Sequence, residues 1–140
     1  MRDFSGKPQS VNAPLLYLLL DNGYVPVLTV PIIDEHNTAI NTENDDVVRV
    51  LQKALKADTV INLIEAAGFL ENKEDASSLI ESIPASELAA REQQVDGRMK
   101  RKMLALKKLF EQGASRIIIC DGRTQHPITD ALAGKGTVIA

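Results

Sequence analysis

Blocks of apolar residues along this 140-residue chain predict strands and helices in alternation. Short runs rich in branched side chains predict buried strands, and longer blocks with apolar residues three and four positions apart predict helices. The predicted strands are Tyr24–Val30, Thr59–Ile64, Arg116–Cys120 and Thr137–Ile139, with Ala39–Asn41 as the second arm of a hairpin. The predicted helices are Leu15–Leu20 with a cap at Ser10 or Asn12, Asp45–Ala57, Ser77–Ile83, Pro84–Gln94, Gly97–Gln112 and Pro127–Leu132.

This alternation predicts an α/β fold, a three-layer sandwich with a mainly parallel sheet. Parallel neighbours need crossover connections, usually helices, and these cover both faces of the sheet. The leucine-rich first helix is apolar on more than one face, which predicts that it is well buried. Pro26 lies inside the first strand and cannot donate to a ladder, so that strand is expected at an edge or begins after the proline. The whole chain is expected to form one domain.

Composition excludes several functional classes. The net charge is −3 with histidine neutral, so no basic field favours nucleic acid, and no segment reaches the roughly twenty apolar residues of a membrane span. The lone Cys120 follows the apolar run Ile117–Ile119, which indicates a core residue and a reducing, cytoplasmic compartment. His36 and His126 lack metal-ligand spacing, so no zinc site is expected, and no protein metal ligand is assigned.

Two polar stretches at predicted helix starts carry candidate chemistry. Asn41–Asp46 contains three carboxylates and two amides, which is typical either of an acidic helix start stabilised by the dipole or of a turn that binds substrate and orients phosphate-binding groups. Gly97–Lys102 places four cations near the start of the longest helix, where they oppose the dipole. A bound anion would relieve that conflict, and a solvated basic face is the alternative.

Two further loops follow predicted strands. Glu65–Gly68 comes after the Thr59–Ile64 strand, and Asp121–His126 comes after the Arg116–Cys120 strand. In open α/β sheets, ligands bind outside the carboxyl ends of the strands, so both loops are candidates for a binding site. The turn at Asp121–Arg123 is most simply structural.

Six stretches carry a characteristic combination of motifs: Val11–Leu16, Gly23–Leu28, Ile40–Asp45, Gly97–Lys102, Ile119–Arg123 and Gly136–Ile139. Together they resemble the amino-acid kinase family, specifically its acetylglutamate kinase branch. Ile40–Asp45 is similar to the family signature (L/I)N-x-(D/N)-x-D, and Gly97–Lys102 is similar to G-x-M-x-x-K. The form of the second signature and the ending Pro127–Ile139 are most similar to the kinases of carrier-linked lysine and arginine biosynthesis.

The resemblance implies both a fold and a function. The chain would be the C-terminal, nucleotide-binding lobe of a kinase that uses ATP and Mg²⁺ to phosphorylate the side-chain carboxylate of aminoadipate or glutamate linked to the carrier protein LysW. Lys102 would stabilise charge on the transferring phosphoryl group, Asp45 would orient catalytic lysines, and Asn41 would bind the substrate. The residues implied to line the nucleotide site are Glu65, Gly68, Gly97, Met99 and Lys102.

The family's N-terminal half, with its catalytic lysine and glycine-rich loops, has no counterpart in these residues. The chain is therefore expected to bind MgATP weakly and to be inactive alone, to need the missing N-terminal kinase lobe as a partner, and to form a homo-oligomer. The family usually has Ser or Thr followed by Asp or Asn where this chain has Ile64-Glu65, which leaves open a non-catalytic binding or assembly module. Free N-acetylglutamate is a further alternative substrate.

Overall fold

The computed structural model describes residues 4–72 and 74–140, without the side chains of Arg98 and Met99. The chain divides into two compact units, Met1–Lys56 and Ala57–Ala140. The helices are α1 (Ala13–Asp21), α2 (Asn44–Leu55), α3 (Leu88–Gln93), α4 (Gly97–Glu111) and α5 (Pro127–Leu132), and a 3₁₀ turn at Ala85–Glu87 precedes α3. The strands are β1 (Ile32–Ile33), β2 (Ala39–Ile40), β3 (Thr59–Ile64), β4 (Ser82–Ile83), β5 (Arg116–Asp121) and β6 (Thr137–Ile139). None of the described helices is long and apolar enough to cross a membrane.

The first unit contains α1, the β1–β2 hairpin and α2. The Asn12 side chain caps α1 by accepting a hydrogen bond from the Leu15 N–H at 3.1 Å. Asn12 is one of the two residues predicted to cap this helix. Strands β1 and β2 pair antiparallel, which confirms the predicted hairpin. Helix α2 begins with Asp45 and Asp46 in its first turn and ends at Lys56 in the left-handed conformation.

Two expectations for this unit are wrong. Helix α1 is not well buried, because Leu16 is its only buried residue and Leu18 is 61% exposed. No strand forms between Tyr24 and Val30, where Val25 is 85% and Val27 is 92% exposed. A strand exists only when its backbone groups meet those of a neighbour, and the described part of the chain offers this segment none.

The second unit is built on a four-stranded sheet with the order β3-β5-β6-β4. Strand β3 runs parallel to β5 in a register from Thr59 opposite Arg116 to Ile64 opposite Asp121. Strand β4 runs parallel to β6, whereas β5 and β6 are antiparallel. Two of the three pairings are therefore parallel, which confirms an α/β fold with a mainly parallel sheet.

Strand β5 forms the centre of the core and is buried on both faces. Ile118 and Cys120 lie on one face and pack in a cluster with Ala131 of α5. Ile117 and Ile119 alternate with them, so they point to the opposite face, and both are completely buried. Burial on both faces is typical of a sheet covered by helices on two sides.

Cys120 is only 3% exposed, which confirms its predicted place in the core. Its Sγ lies 3.6 Å from the Pro127 carbonyl oxygen. Burial raises the pKa of the thiol, and the nearby carboxylates of Asp130 and Asp121 raise it further. The thiol is therefore protonated and unreactive near neutral pH.

The predicted helix over Ser77–Ile83 is wrong. An antiparallel bridge joins Leu70 to Leu79, and β4 follows at Ser82. The hydroxyl of Ser78 donates to the Asp75 carbonyl at 2.6 Å, and the Ser77 hydroxyl donates to the Asp75 side chain at 2.6 Å. Such local bonds compete with helical ones and hold this segment in tight turns.

Candidate functional site

One edge of the four-stranded sheet collects the loops that the sequence singles out. Because β3 and β5 are parallel, their carboxyl ends meet there, and the Gly122 N–H donates to the Ile64 carbonyl at 2.8 Å. The loop Glu65–Gly68 leaves β3 at this edge, and the turn after Asp121 leaves β5. Strand β6 runs antiparallel to β5, so its first residue, Thr137, lies at the same edge.

Gly68 allows the loop after β3 to lie directly against β6. A Cβ atom at this position would lie 2.6 Å from the Thr137 Oγ1 and 2.8 Å from the Leu79 Cδ1. Both distances are shorter than any real contact of a methyl group, so a larger residue would push the loop away from the strand. Glu65, at the start of the same loop, is exposed.

The start of α4 carries several cations that form no salt bridge within the described residues. Its N-cap residue, Asp96, makes no side-chain capping bond, and the first turn contains no acidic residue. Lys100, Arg101 and Lys102 take part in no salt bridge within the described residues. Free N–H groups and unpaired cations at one helix end form a favourable place for an anion.

A cleft of about 420 Å³ lies between the chain that follows β3 and the chain that leads into α4. It is lined by Phe69, Leu70, Glu71, Ile80, Ile83, Arg91, Gln94, Val95, Asp96 and Met103. These include the direct neighbours of Gly68, Gly97 and Lys102, although those three residues do not line the cleft. A mostly apolar wall with a few charged groups is typical of a small-molecule site.

In the first unit, two backbone hydrogen bonds fix the main chain of Asn41, while the residue itself is exposed. The Asn41 N–H donates to the Phe4 carbonyl at 2.7 Å, and its own carbonyl accepts from the Gly6 N–H at 2.9 Å. Asp45 is exposed in the first turn of α2, while the neighbouring Asp46 lies 3.6 Å from Arg49. Asn41 thus lies in a β-bridge just before α2, and Asp45 lies four positions later in the first turn of that helix.

Comparison with known proteins decides the family. The model of the amino acid kinase family matches residues 2–121. This chain belongs to the amino acid kinase family. The LysW-aminoadipate kinase of Thermus thermophilus is 37% identical over 139 residues, which are 98% of this chain and 52% of that protein. The chloroplastic acetylglutamate kinase of Arabidopsis thaliana is 36% identical over 141 residues, which are 97% of this chain and 41% of that protein. The chain spans about half the length of these relatives.

Solved structures share the fold of this chain. N-acetylglutamate synthase from Neisseria gonorrhoeae superposes with a TM-score of 0.83 at 19% identity, over 98% of this chain and 32% of that one. Carbamate kinase from Giardia lamblia superposes with a TM-score of 0.73 at 25% identity, over 96% and 50%. These likenesses agree with the fold class expected from the sequence.

The predicted site residues of this chain fall into separate groups. Glu65 and Gly68 lie at the sheet edge, and Gly97 and Lys102 lie in the first turns of α4. Asn41 and Asp45 belong to the other compact unit, and the side chain of Met99 lies outside the described residues. Among those residues, no group of three or more His, Cys, Asp and Glu side chains is arranged to hold a metal ion.

An ion pair between Asp121 and Arg123 stabilises the turn after β5. The sequence predicted the tight turn but not the ion pair. Arg123 Nε donates to Asp121 Oδ1 at 2.8 Å, and a terminal guanidinium nitrogen donates to Oδ2 at 2.8 Å. The Arg123 backbone N–H also donates to Oδ1 at 2.9 Å. These hydrogen bonds lower the pKa of Asp121 to about 2, and the pKa of Arg123 is raised mainly by Asp121 and slightly by Glu65.

The Asp121–Arg123 pair is expected to stabilise the turn in a pH-dependent way. A carboxylate with a lowered pKa stabilises the folded state above its ordinary pKa of 3.8 and loses that contribution as the pH falls toward 2. An NMR titration of the Asp121 carboxyl carbon should show the low value, and Arg123→Ala should return it toward the ordinary range. Identical titration curves in both proteins would contradict this assignment.

Proposed function

We propose that this chain is the nucleotide-binding half of an ATP-dependent kinase that phosphorylates the side-chain carboxylate of aminoadipate or glutamate linked to a LysW-type carrier protein. The observation that carries the proposal is the start of α4, where the first N–H groups have no side-chain cap and Lys100, Arg101 and Lys102 form no salt bridge within the described residues. The 37% identity to a protein named LysW-aminoadipate kinase supports the substrate class. The product would be an acyl phosphate of lysine or arginine biosynthesis, made in the cytoplasm.

The reaction joins a substrate carboxylate oxygen to the γ-phosphorus of ATP and breaks the bond to the β,γ-bridging oxygen, so that ADP leaves. Protein groups contribute mainly positioning and charge stabilisation to such a transfer. Lys102 would neutralise charge on the transferring phosphoryl group, Asp45 would orient the lysines around it, and Asn41 would hold the substrate. Glu65, Gly68, Gly97 and Met99 would line the nucleotide.

Mg²⁺ would be held mainly by the ATP phosphates. This ion takes oxygen ligands and often only one or two from the protein. Glu65 is the exposed carboxylate at the sheet edge, whereas both carboxylate oxygens of Asp121 already bind Arg123. When bound, the ion would neutralise phosphate charge. The residues present therefore fit a metal ion delivered with the nucleotide.

A second candidate is the corresponding half of an N-acetylglutamate kinase. Proteins named acetylglutamate kinase are 35–36% identical to this chain over nearly its whole length, close to the 37% of the LysW-aminoadipate kinases. For the carrier-linked substrate, the basic side chains of Lys100 and Arg101 would attract the acidic carrier. A third candidate function is a non-catalytic binding or assembly module of the same fold. It is motivated by Ile64-Glu65, which stand where the family usually has Ser or Thr followed by Asp or Asn.

An N-terminal kinase lobe is the proposed partner of the first unit. The apolar residues that this unit leaves most exposed include Leu18 (61%), Tyr24 (65%), Val25 (85%), Val27 (92%) and Ile33 (70%). In an extended chain Val25 and Val27 face one side, while Tyr24 and Leu28 face the other, so a strand here would present apolar side chains on both faces. Val25–Leu28 makes no backbone hydrogen bond within the described residues, so it is available to pair with a strand of that lobe.

Calorimetry of MgATP binding tests the proposed nucleotide site. We expect the chain to bind MgATP and Lys102→Ala to bind it about tenfold more weakly or worse, because a hydrogen bond to a charged group contributes about 1.5–3 kcal/mol. The matched control is Lys108→Ala, which removes an exposed cation from the last turn of the same helix and should leave the affinity unchanged. Equal affinities in all three proteins would place the phosphates elsewhere.

A further inference from the structure

Thr137 is a polar side chain in a position with no exposure at all. It begins β6, and its hydroxyl makes two hydrogen bonds to backbone groups distant in the sequence. It accepts from the Phe69 N–H at 2.8 Å and donates to the Ile80 carbonyl at 2.7 Å. A single buried hydroxyl therefore joins the sheet to two separate points of the chain between β3 and β4.

The two partners of this hydroxyl are themselves paired. The Ile80 N–H donates to the Phe69 carbonyl at 2.8 Å, and the neighbouring Leu70 and Leu79 form an antiparallel bridge. In a regular antiparallel pair, the Phe69 N–H would bind the Ile80 carbonyl directly. Here the Thr137 hydroxyl lies between the Phe69 N–H and the Ile80 carbonyl and forms a hydrogen bond with each of them.

This insertion fixes the course of the loop at the sheet edge. Gly68 is pressed against the same hydroxyl, since a Cβ atom there would lie 2.6 Å from the Thr137 Oγ1. Phe69 and Ile80 are in turn part of the wall of the 420 Å³ cleft. The position of Thr137 thus sets both the end of the Glu65–Gly68 loop and one side of the cleft beside α4.

We propose that Thr137 is a positioning residue for nucleotide binding, acting through its hydroxyl on the backbone of Gly68–Phe69 and Ile80. The proposal rests on the proposed nucleotide site. Valine has nearly the shape of threonine without the hydroxyl, so Thr137→Val leaves the Phe69 N–H and the Ile80 carbonyl unpaired in a buried place. Serine keeps the hydroxyl, so Thr137→Ser retains both bonds.

Calorimetry with MgATP and amide hydrogen exchange test this role together. Thr137→Val should weaken MgATP binding about tenfold or more, and Thr137→Ser should stay within about threefold of the unsubstituted chain. The exchange of the Phe69 amide should be slow in the unsubstituted chain and in Thr137→Ser, and fast in Thr137→Val. Ile139→Val is the matched control, because it trims a fully buried residue of the same strand and should change neither the affinity nor the Phe69 exchange.

The outcomes separate this inference from the proposed function. If the unsubstituted chain and Thr137→Val bind MgATP equally well, the positioning role is wrong while the nucleotide site stands. If Ile139→Val weakens binding as much as Thr137→Val does, the effect comes from general destabilisation of β6 and the role is again wrong. If the unsubstituted chain binds no MgATP, the proposed nucleotide site fails and the role of Thr137 fails with it.

Discussion

Gly136→Ala is expected to lower the free energy of unfolding of the Ala57–Ala140 unit by about 3 kcal/mol or more. Gly136 has a φ of +96°, and a Cβ atom there would lie 2.6 Å from the Cβ and 2.9 Å from the Cα of Cys120, besides overlapping the Ile119 carbonyl oxygen. Those atoms belong to the buried central strand, which has no room to retreat. Backbone strain and steric overlap therefore add at this position.

Gly134→Ala provides a matched control for the steric part of this effect. Gly134 also has a positive φ, +87°, but nothing lies within 4 Å of its hypothetical Cβ. Its substitution should therefore cost only the backbone term, about 1 kcal/mol. Urea denaturation followed by circular dichroism measures both variants. A Gly136→Ala protein as stable as Gly134→Ala would show that β5 and β6 are less closely packed at this end than described.

Kinase activity is expected to appear only when the chain is combined with an N-terminal kinase lobe. The family resemblance implies that this lobe carries a catalytic lysine and glycine-rich loops, so the chain alone should not turn over LysW-linked aminoadipate. Co-expression with the part of the Thermus thermophilus kinase that precedes the matched segment should yield a complex that releases ADP. Within that complex, Asp45→Asn should lower kcat about a hundredfold or more without changing assembly, because it removes only the charge that is proposed to orient the lysines.

Val27→Asp distinguishes assembly from chemistry. Val27 is 92% exposed in this chain, so an aspartate there should be tolerated by the chain alone. In the complex it would place a charge in a buried strand position, which should weaken association about a hundredfold or more. The matched control is Glu35→Asp, which changes an exposed residue but keeps its negative charge and should leave association unchanged. Sedimentation measures the association of the chain with the lobe. The proposal would be contradicted by turnover in the chain alone, or by an association that Val27→Asp leaves unchanged.

Local signals were sufficient for strands β3 and β5 and for the end of the chain, from α5 to β6. Helix α5 and strand β6 have the predicted bounds, because Pro127 is favoured at a helix start and Gly134 follows the end of the helix. The placement of Glu65–Gly68 and Asp121 at one edge follows from parallel pairing of the two most apolar strands. These predictions succeed because each depends on residues near in sequence or on one strong pairing.

Predictions failed where the deciding interaction lies outside the local pattern. Tyr24–Val30 has a strand sequence but no strand partner among the described residues, and apolar alternation cannot reveal whether a partner is supplied. The pattern predicts a helix over Ser77–Ile83 because the hydrogen bonds of Ser77 and Ser78 to Asp75 leave no periodic signature in the sequence. The sequence predicts Thr137 only as a strand residue, because its two hydrogen-bond partners lie 68 and 57 positions away.

The sheet order has a consequence for the chain during synthesis on the ribosome. Strand β6 lies between β5 and β4, although it is the last of the four strands to be translated. Strands β3 and β5 can pair as soon as residue 121 has emerged, but β4 then has no neighbour to join. The Phe69–Ile80 pair likewise lacks its bridging hydroxyl until Thr137 arrives. The sheet edge that is proposed to bind nucleotide can therefore form only after residues 137–139 have been translated. A shorter nascent chain leaves β4 and the central strand β5 exposed to other molecules.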